Sequence, residues 1–215
     1  MIKSFGLKII AILLFIFYIF QFGHYDFSGW RYIHIRTLVD NEYINTNKNW
    51  ATDISAIIEK TSAFYEERFK IKLIITNWGK LITTKELVDF QELAFSDKND
   101  GNEVLIGFSG RSIKTNDNKN NADALSILSM ILISGEHATP EYQTELLKHE
   151  VGHLFLALGR PETIMDEIGD IRNKDFDDLN KFIVRLNKYQ NFQIGKILYS
   201  IYLAYLKTGT MKIVI

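Results

Sequence analysis

His149-Glu150-Val151-Gly152-His153 places two imidazoles four positions apart with a carboxylate between them. At 3.6 residues per turn, positions 149 and 153 share nearly one face of a helix and can offer two ring nitrogens to one cation, while Glu150 stands roughly 100° round the axis. A helix over residues 142–158 is expected, with Pro140 near its start, Glu141 and Glu145 in the early turns and Gly159 placed to end it. Leu147, Val151, Leu154, Phe155 and Leu158 form an apolar stripe, and the two histidines project from roughly the opposite side, flanked by Leu146 and Leu156. Imidazoles in such surroundings need partners. A metal ion satisfies both at once, and a hydrogen-bonded pair of core histidines is the plainer alternative.

Outward from this segment, the periodicity predicts a mixed α+β chain. Residues 30–39 are rich in β-branched and aromatic side chains and read as a strand. Ile54, Ile57, Ile58, Thr61, Phe64, Tyr65 and Phe69 recur at helical spacing, which predicts an amphipathic helix over 50–69. Strands are expected over 71–76, 103–108 and 124–134, a helix over 84–95, a turn over 96–102, and a polar, asparagine-rich loop over 109–121. Downstream, 176–189 and 193–206 read as helices. The apolar run 197–206 is too short to cross a bilayer, so it is expected to pack in the core or lie at an interface.

Composition narrows the function classes. A chain of 215 residues, 47% of them apolar, can bury one substantial core. The formal net charge is −1 with basic residues scattered, which leaves no electrostatic footprint for nucleic acid. Cysteine is absent, so any metal must be held by His, Asp or Glu. Residues 5–22 are apolar apart from Gly6, Lys8 and Gln21. As a helix they would span about 27 Å, close to the hydrocarbon thickness of a bilayer. Lys3 and Lys8 flank the start and Asp26 is the first charge after it, so the N-terminus is expected in the cytoplasm and the remainder outside. A cleaved signal peptide is the rival, but 21–25 shows no small-x-small cleavage site. The expected plan is therefore a single-pass membrane protein with an anchor over 1–23 and one extracytoplasmic domain over 24–215.

The H-E-x-x-H pattern at 149–153, set after strand, long helix and three further strands, resembles the zincin metallopeptidases, and metzincins in particular. Three other stretches look metzincin-like. Leu105-Ile106-Gly107-Phe108-Ser109-Gly110-Arg111 resembles the strand and turn before the substrate-binding edge, residues 126–134 that edge strand, and Ile164-Met165-Asp166 the Met-turn beneath the metal. The resemblance implies a zincin-like catalytic domain of mixed sheet and long helices, with Zn2+ held by His149 and His153. Glu150 would be the general base, and the substrate a peptide or protein segment laid out in extended conformation. Three protein ligands would leave zinc one position for water, whose pKa such a site lowers to about 7.

One departure is plain. The metzincin signature continues with glycine where this chain has Leu156 and histidine where it has Gly159. Glycine at 159 and glutamate three residues on suggest a helix nearly one turn longer before the same return to the metal. Glu162 is therefore the first choice of third ligand, and carboxylate oxygen is an accepted zinc donor. Asp166 and Asp170 are reserves, and Glu167 fits if the site is closer to glutamate-liganded zincins. Gly152 reads as a point of close packing, Met165 as core, His24 and His34 as histidines without a motif, and His137 as an exposed loop histidine, with support of the site or contact to substrate as its alternative; Arg111, Tyr142 and Arg160 are candidates to hold an oxyanion.

The expectation is a membrane-anchored, zinc-dependent metallopeptidase. An intramembrane protease does not fit, because Glu141, Glu145 and Lys148 precede or interrupt the motif helix. The non-enzymatic alternative is a membrane-tethered binding module that keeps the fold and has lost the third ligand.

Overall fold

Alternation in the first strand orients the molecule. In a computed structural model, which describes residues 29–81, 104–114, 121–127, 129–136, 138–166, 171–172 and 174–192, strand β1 (Arg31–Val39) buries Ile33 and Ile35 and exposes Tyr32 and His34. Asp40 ends it and caps the short helix α1 (Asn41–Thr46), its carboxylate accepting from Tyr43 N at 2.7 Å. Helix α2 (Trp50–Phe69) buries Ile54, Ile57, Ile58, Thr61, Phe64, Tyr65 and Phe69, the positions that the helical spacing selects. Lys70 closes it in the left-handed conformation, φ 55°, and the chain turns directly into β2 (Ile71–Lys80), parallel to β1.

Five more strands and two helices complete the described chain. β3 (Val104–Ser109) is buried throughout, and β4 (Ile113–Lys114) and β5 (Asn121–Ala122) form a small antiparallel ladder. β6 (Ala124–Ile127) and β7 (Met130–Ser134) pair antiparallel, and helices α3 (Pro140–Leu154) and α4 (Asp178–Asn187) follow. The main sheet has the order β2-β1-β3-β7-β6. Its first four strands are mutually parallel and β6 is the antiparallel edge. The fold is α+β, with a mixed five-stranded sheet and, among the described residues, four helices.

Helices α2 and α3 pack on each other, α2 also against β2 and α3 against β6 and β7. Their interface with the sheet is the main core, including Ile33, Ile57, Tyr65, Ile106, Ile131, Val151 and Phe155. A smaller cluster, Leu38, Leu81, Leu105, Ile113, Met130 and Leu132, is separate from it. At the finishing ends of the parallel strands, Ser109 Oγ donates to Asp40 Oδ2 at 2.7 Å and Gln143 Nε2 donates to Ser134 O at 3.2 Å, which brings the first turn of α3 there. From that end α3 runs back toward the starting ends. Tyr65 Oη donates to Lys148 O at 2.7 Å, and Arg31 N donates to Lys70 O at 2.9 Å where β1 begins.

Several sequence expectations are corrected. The apolar stretch 124–134 is a tight hairpin and not one strand, so the edge is Ala124–Ile127, while 130–134 lies inside the sheet. An apolar run broken only by Ser126 and Ser129 does not distinguish one strand from two. The strand expected over 71–76 continues to Lys80, and the polar loop over 109–121 carries β4 and β5. The helix expected to reach 158 stops at Leu154. Among the described residues no helix is long and apolar enough to cross a membrane. The expected anchor over 1–23 and the helices over 84–95 and 193–206 lie outside the described residues.

Candidate metal centre

Helix α3 is started by Thr139, whose side chain accepts from Tyr142 N, and by Pro140 in its first turn. Its inward face carries Leu147, Val151 and Leu154, and the same helix buries His149 and Glu150. Gly152 is where it meets the chain that follows. A Cβ there would stand 2.6 Å from Met165 Sδ and 3.2 Å from the Phe176 ring, and Met165 is itself fully buried. Met165 thus lies directly beneath the turn of helix that holds the two histidines.

The imidazoles come together. His149 Nε2 and His153 Nε2 are 3.0 Å apart, with ring centroids at 4.7 Å and planes at 78°. The other nitrogen of each ring faces a backbone carbonyl: His149 Nδ1 meets Ile164 O at 2.8 Å, and His153 Nδ1 meets Ala157 O at 3.1 Å. A carbonyl only accepts, so each Nδ1 carries a hydrogen and the two Nε2 atoms are left facing each other. At 3.0 Å they can share a proton as a hydrogen-bonded pair or bind one cation between them. That separation is within reach of two nitrogens each about 2.0–2.1 Å from one zinc ion. Backbone carbonyls holding the far nitrogens are the usual orienting partners of metal-bound histidines.

After α3 the chain makes the turn that the metzincin signature assigns to glycine, but with a leucine. Phe155 caps the helix, and Leu156 is left-handed at φ 65°. The helix therefore does not run the extra turn on which the choice of Glu162 was argued. Gly159 occupies the position of the family's third histidine and has no side chain to offer. Glu162 lies on the exposed return loop at φ 61°. Asp166 accepts from Glu162 N at 2.9 Å and lies 3.6 Å from Lys174 Nζ. Glu167, Asp170, His24 and His137 lie outside the described residues. Among the described residues no group of three or more His, Cys, Asp or Glu could hold a metal ion, so a third protein ligand is not preassembled there.

Glu150 is buried beside Tyr65, whose hydroxyl pKa is raised well above its ordinary value by burial and, secondly, by the Glu150 charge. The oxyanion candidates are engaged elsewhere: Arg111 with Glu42, Arg160 Nε with Asp177 at 3.2 Å, Tyr142 Oη with Asp123 at 3.1 Å. His34 is exposed on β1. Sequence reasoning missed Asn180, which is fully buried and clamps the return loop from both sides: its Oδ1 accepts from Leu158 N at 2.7 Å and its Nδ2 donates to Leu158 O at 3.0 Å. It also missed the Ile164 and Ala157 carbonyls, because a backbone atom leaves no mark in residue identity.

No protein-family profile and no curated protein matches the chain. Among solved structures it is similar to one described as "Structure of a chaperone-substrate complex", with a TM-score of 0.56 at 8% identity over 77% of this chain and 35% of that one. The likeness is one of fold. The chain spans about a third of that protein's length.

Proposed function

We propose that this chain is a membrane-anchored, zinc-dependent metallopeptidase with a zincin-like, metzincin-like catalytic domain. The observation that carries the reading is the facing pair of His149 and His153 Nε2 atoms, each ring held by a carbonyl on its far nitrogen, in a helix that also presents Glu150. A bound zinc ion supplies an acidified water and a Lewis acid for a carbonyl oxygen. His149 and His153 would hold the ion. Glu150 would take the proton from the attacking water and deliver it to the leaving amine. β6, the antiparallel edge beside α3, supports a substrate added as an extended strand. Glu162 remains the proposed third ligand: its carboxylate is exposed on the loop that returns from α3, whereas that of Asp166 already serves Glu162 N and Lys174. Residues 1–23 are the proposed anchor, with the domain outside the cytoplasm.

Zinc content and peptide hydrolysis of the detergent-purified full chain test this. Stoichiometric zinc is expected in the wild type, retained zinc with turnover lost in Glu150→Gln, and weakened zinc in Glu162→Ala. Unaltered zinc in Glu162→Ala removes that residue from the site. A wild type without zinc sinks the peptidase and favours the binding module, a reading that draws on the missing histidine at Gly159.

A further inference from the structure

We infer that Asp123 selects a basic side chain of the substrate, so that the site prefers extended peptides carrying lysine or arginine about three residues from the cleaved bond. The inference rests on the zinc-peptidase reading and adds a substrate class to it. Its basis is the side of α3 on which the imidazoles stand. Tyr142, His149 and His153 follow one another at two turns and then one turn of that helix, so Tyr142 lies within about 20° of each histidine round the axis. From that face the Tyr142 hydroxyl donates to Asp123 Oδ2 at 3.1 Å. Asp123 immediately precedes β6, and its own carbonyl accepts from the N–H of Ser134, the last residue of β7, at 2.8 Å. One brace on the side chain and one on the backbone fix the carboxylate between the head of the edge strand and the face of α3 that carries the histidines.

The register follows from the directions of the two elements. β6 runs antiparallel to β7 and starts opposite Ile133, at the end where Gln143 ties the first turn of α3 to Ser134. Strand and helix therefore set out from Asp123 and Tyr142 in the same direction. The two turns from Tyr142 to His149 advance about 10 Å along the axis. An extended chain covers that distance in about three residues at roughly 3.3 Å each. A peptide laid along β6 with its reacting carbonyl at the imidazoles thus brings its third residue to Asp123. There the carboxylate is exposed, its side-chain partner is the neutral Tyr142 hydroxyl, and among the described residues no cation pairs with it. A carboxylate held in that way accepts charge-assisted hydrogen bonds from an ammonium or guanidinium and disfavours an acidic side chain.

The test uses the detergent-purified full chain and a series of quenched-fluorescent peptides of otherwise uncharged sequence, with Lys, Ala or Glu placed in turn at each of several positions on both sides of the cleaved bond. In the wild type, kcat/KM is expected to favour Lys over Ala by about two- to fivefold at the third position on one side, the range of an exposed ion pair, and to disfavour Glu there. Raising the salt concentration should shrink the preference. The Lys-to-Glu ratio within each variant is the readout, since it is insensitive to how much of that variant is folded or loaded with metal. Asp123→Asn should bring the ratio close to one, and Asp123→Lys should invert it. A preference that survives Asp123→Asn, one confined to the residues adjoining the bond, or uniform cleavage across the series overturns this inference and leaves the peptidase reading standing. Cleavage of no peptide by the wild type sinks the peptidase reading, and the role of Asp123 with it.

Discussion

Leu156 holds a conformation that costs an L-residue with a side chain about 1–2 kcal/mol, and its side chain is more than half exposed, so burial offsets little of that cost. Leu156→Gly is therefore expected to leave stability unchanged or raise it by up to about 1 kcal/mol, whereas the β-branched Leu156→Val should lower it by about 1 kcal/mol or more. Thermal unfolding of the two variants decides this, and a clear loss in Leu156→Gly would show that the left-handed turn is not where the chain reverses. At this scale the sequence was informative about side chains and silent about their backbone partners. Helical spacing alone brought His149 and His153 to one point, yet the carbonyls of Ile164 and Ala157 that select their tautomers belong to residues whose identity is irrelevant to that task. Glu162 loses the support of a longer helix for a related reason: Leu156 itself takes the left-handed turn and α3 stops at Leu154.

Helix α3 is held against its return loop at two places, and each can be measured. Gly152→Ala would gain about 1 kcal/mol of helix propensity but forces Met165 and Phe176 to move, an overpacking cost of about 1–3 kcal/mol. A net destabilisation is expected, and Met165→Ala should cost less in the Gly152→Ala background than in the wild type; additive effects would show that the two residues do not press on each other. Asn180→Ala removes both part-buried hydrogen bonds to Leu158, costing about 1–3 kcal/mol. At the proposed zinc site it should also weaken metal binding, because the Ala157 carbonyl facing His153 Nδ1 precedes the clamped residue. Zinc affinity equal to wild type in Asn180→Ala would remove the clamp from any role in the site. Elements with strict periodicity, such as α2 and β1, were legible to within a residue. The hairpin β6–β7 was not, since both of its strands are apolar and the turn at Ser129 carries no glycine or proline.

Across the whole molecule, α4 is tied back to α2 by one carboxylate. Asp175 accepts from Arg68 Nε at 2.9 Å and from Phe176 N at 2.8 Å, and lies 3.4 Å from Lys181 Nζ. Burial opposes its ionisation, but the Arg68 hydrogen bond, the Phe176 N–H and the charges of Arg68 and Lys181 outweigh it and hold the carboxyl below its ordinary 3.8. A depressed folded pKa means stability that is present above 3.8 and lost as pH falls through the folded value. The melting temperature of the wild type should therefore exceed that of Asp175→Asn by a constant margin from neutral pH down to about 5, and the margin should close in stronger acid. A margin independent of pH would mean that the ion pairs contribute nothing. The α+β class and one substantial core could be read from composition and period, while the parallel pairing of distant strands could not, because register between segments far apart leaves no local trace.

That parallel pairing sets a timetable for biosynthesis. Ile35 of β1 finds its β3 partner only at Val104, and Gly29 meets Lys188 across 159 positions. At translation rates of about 5–20 residues per second, one flank of β1 stays open for roughly 3–14 s after it leaves the ribosome. β1, α2 and β2 can associate early, but the sheet must await Ser134 and the two histidine-orienting carbonyls Ala157 and Ile164.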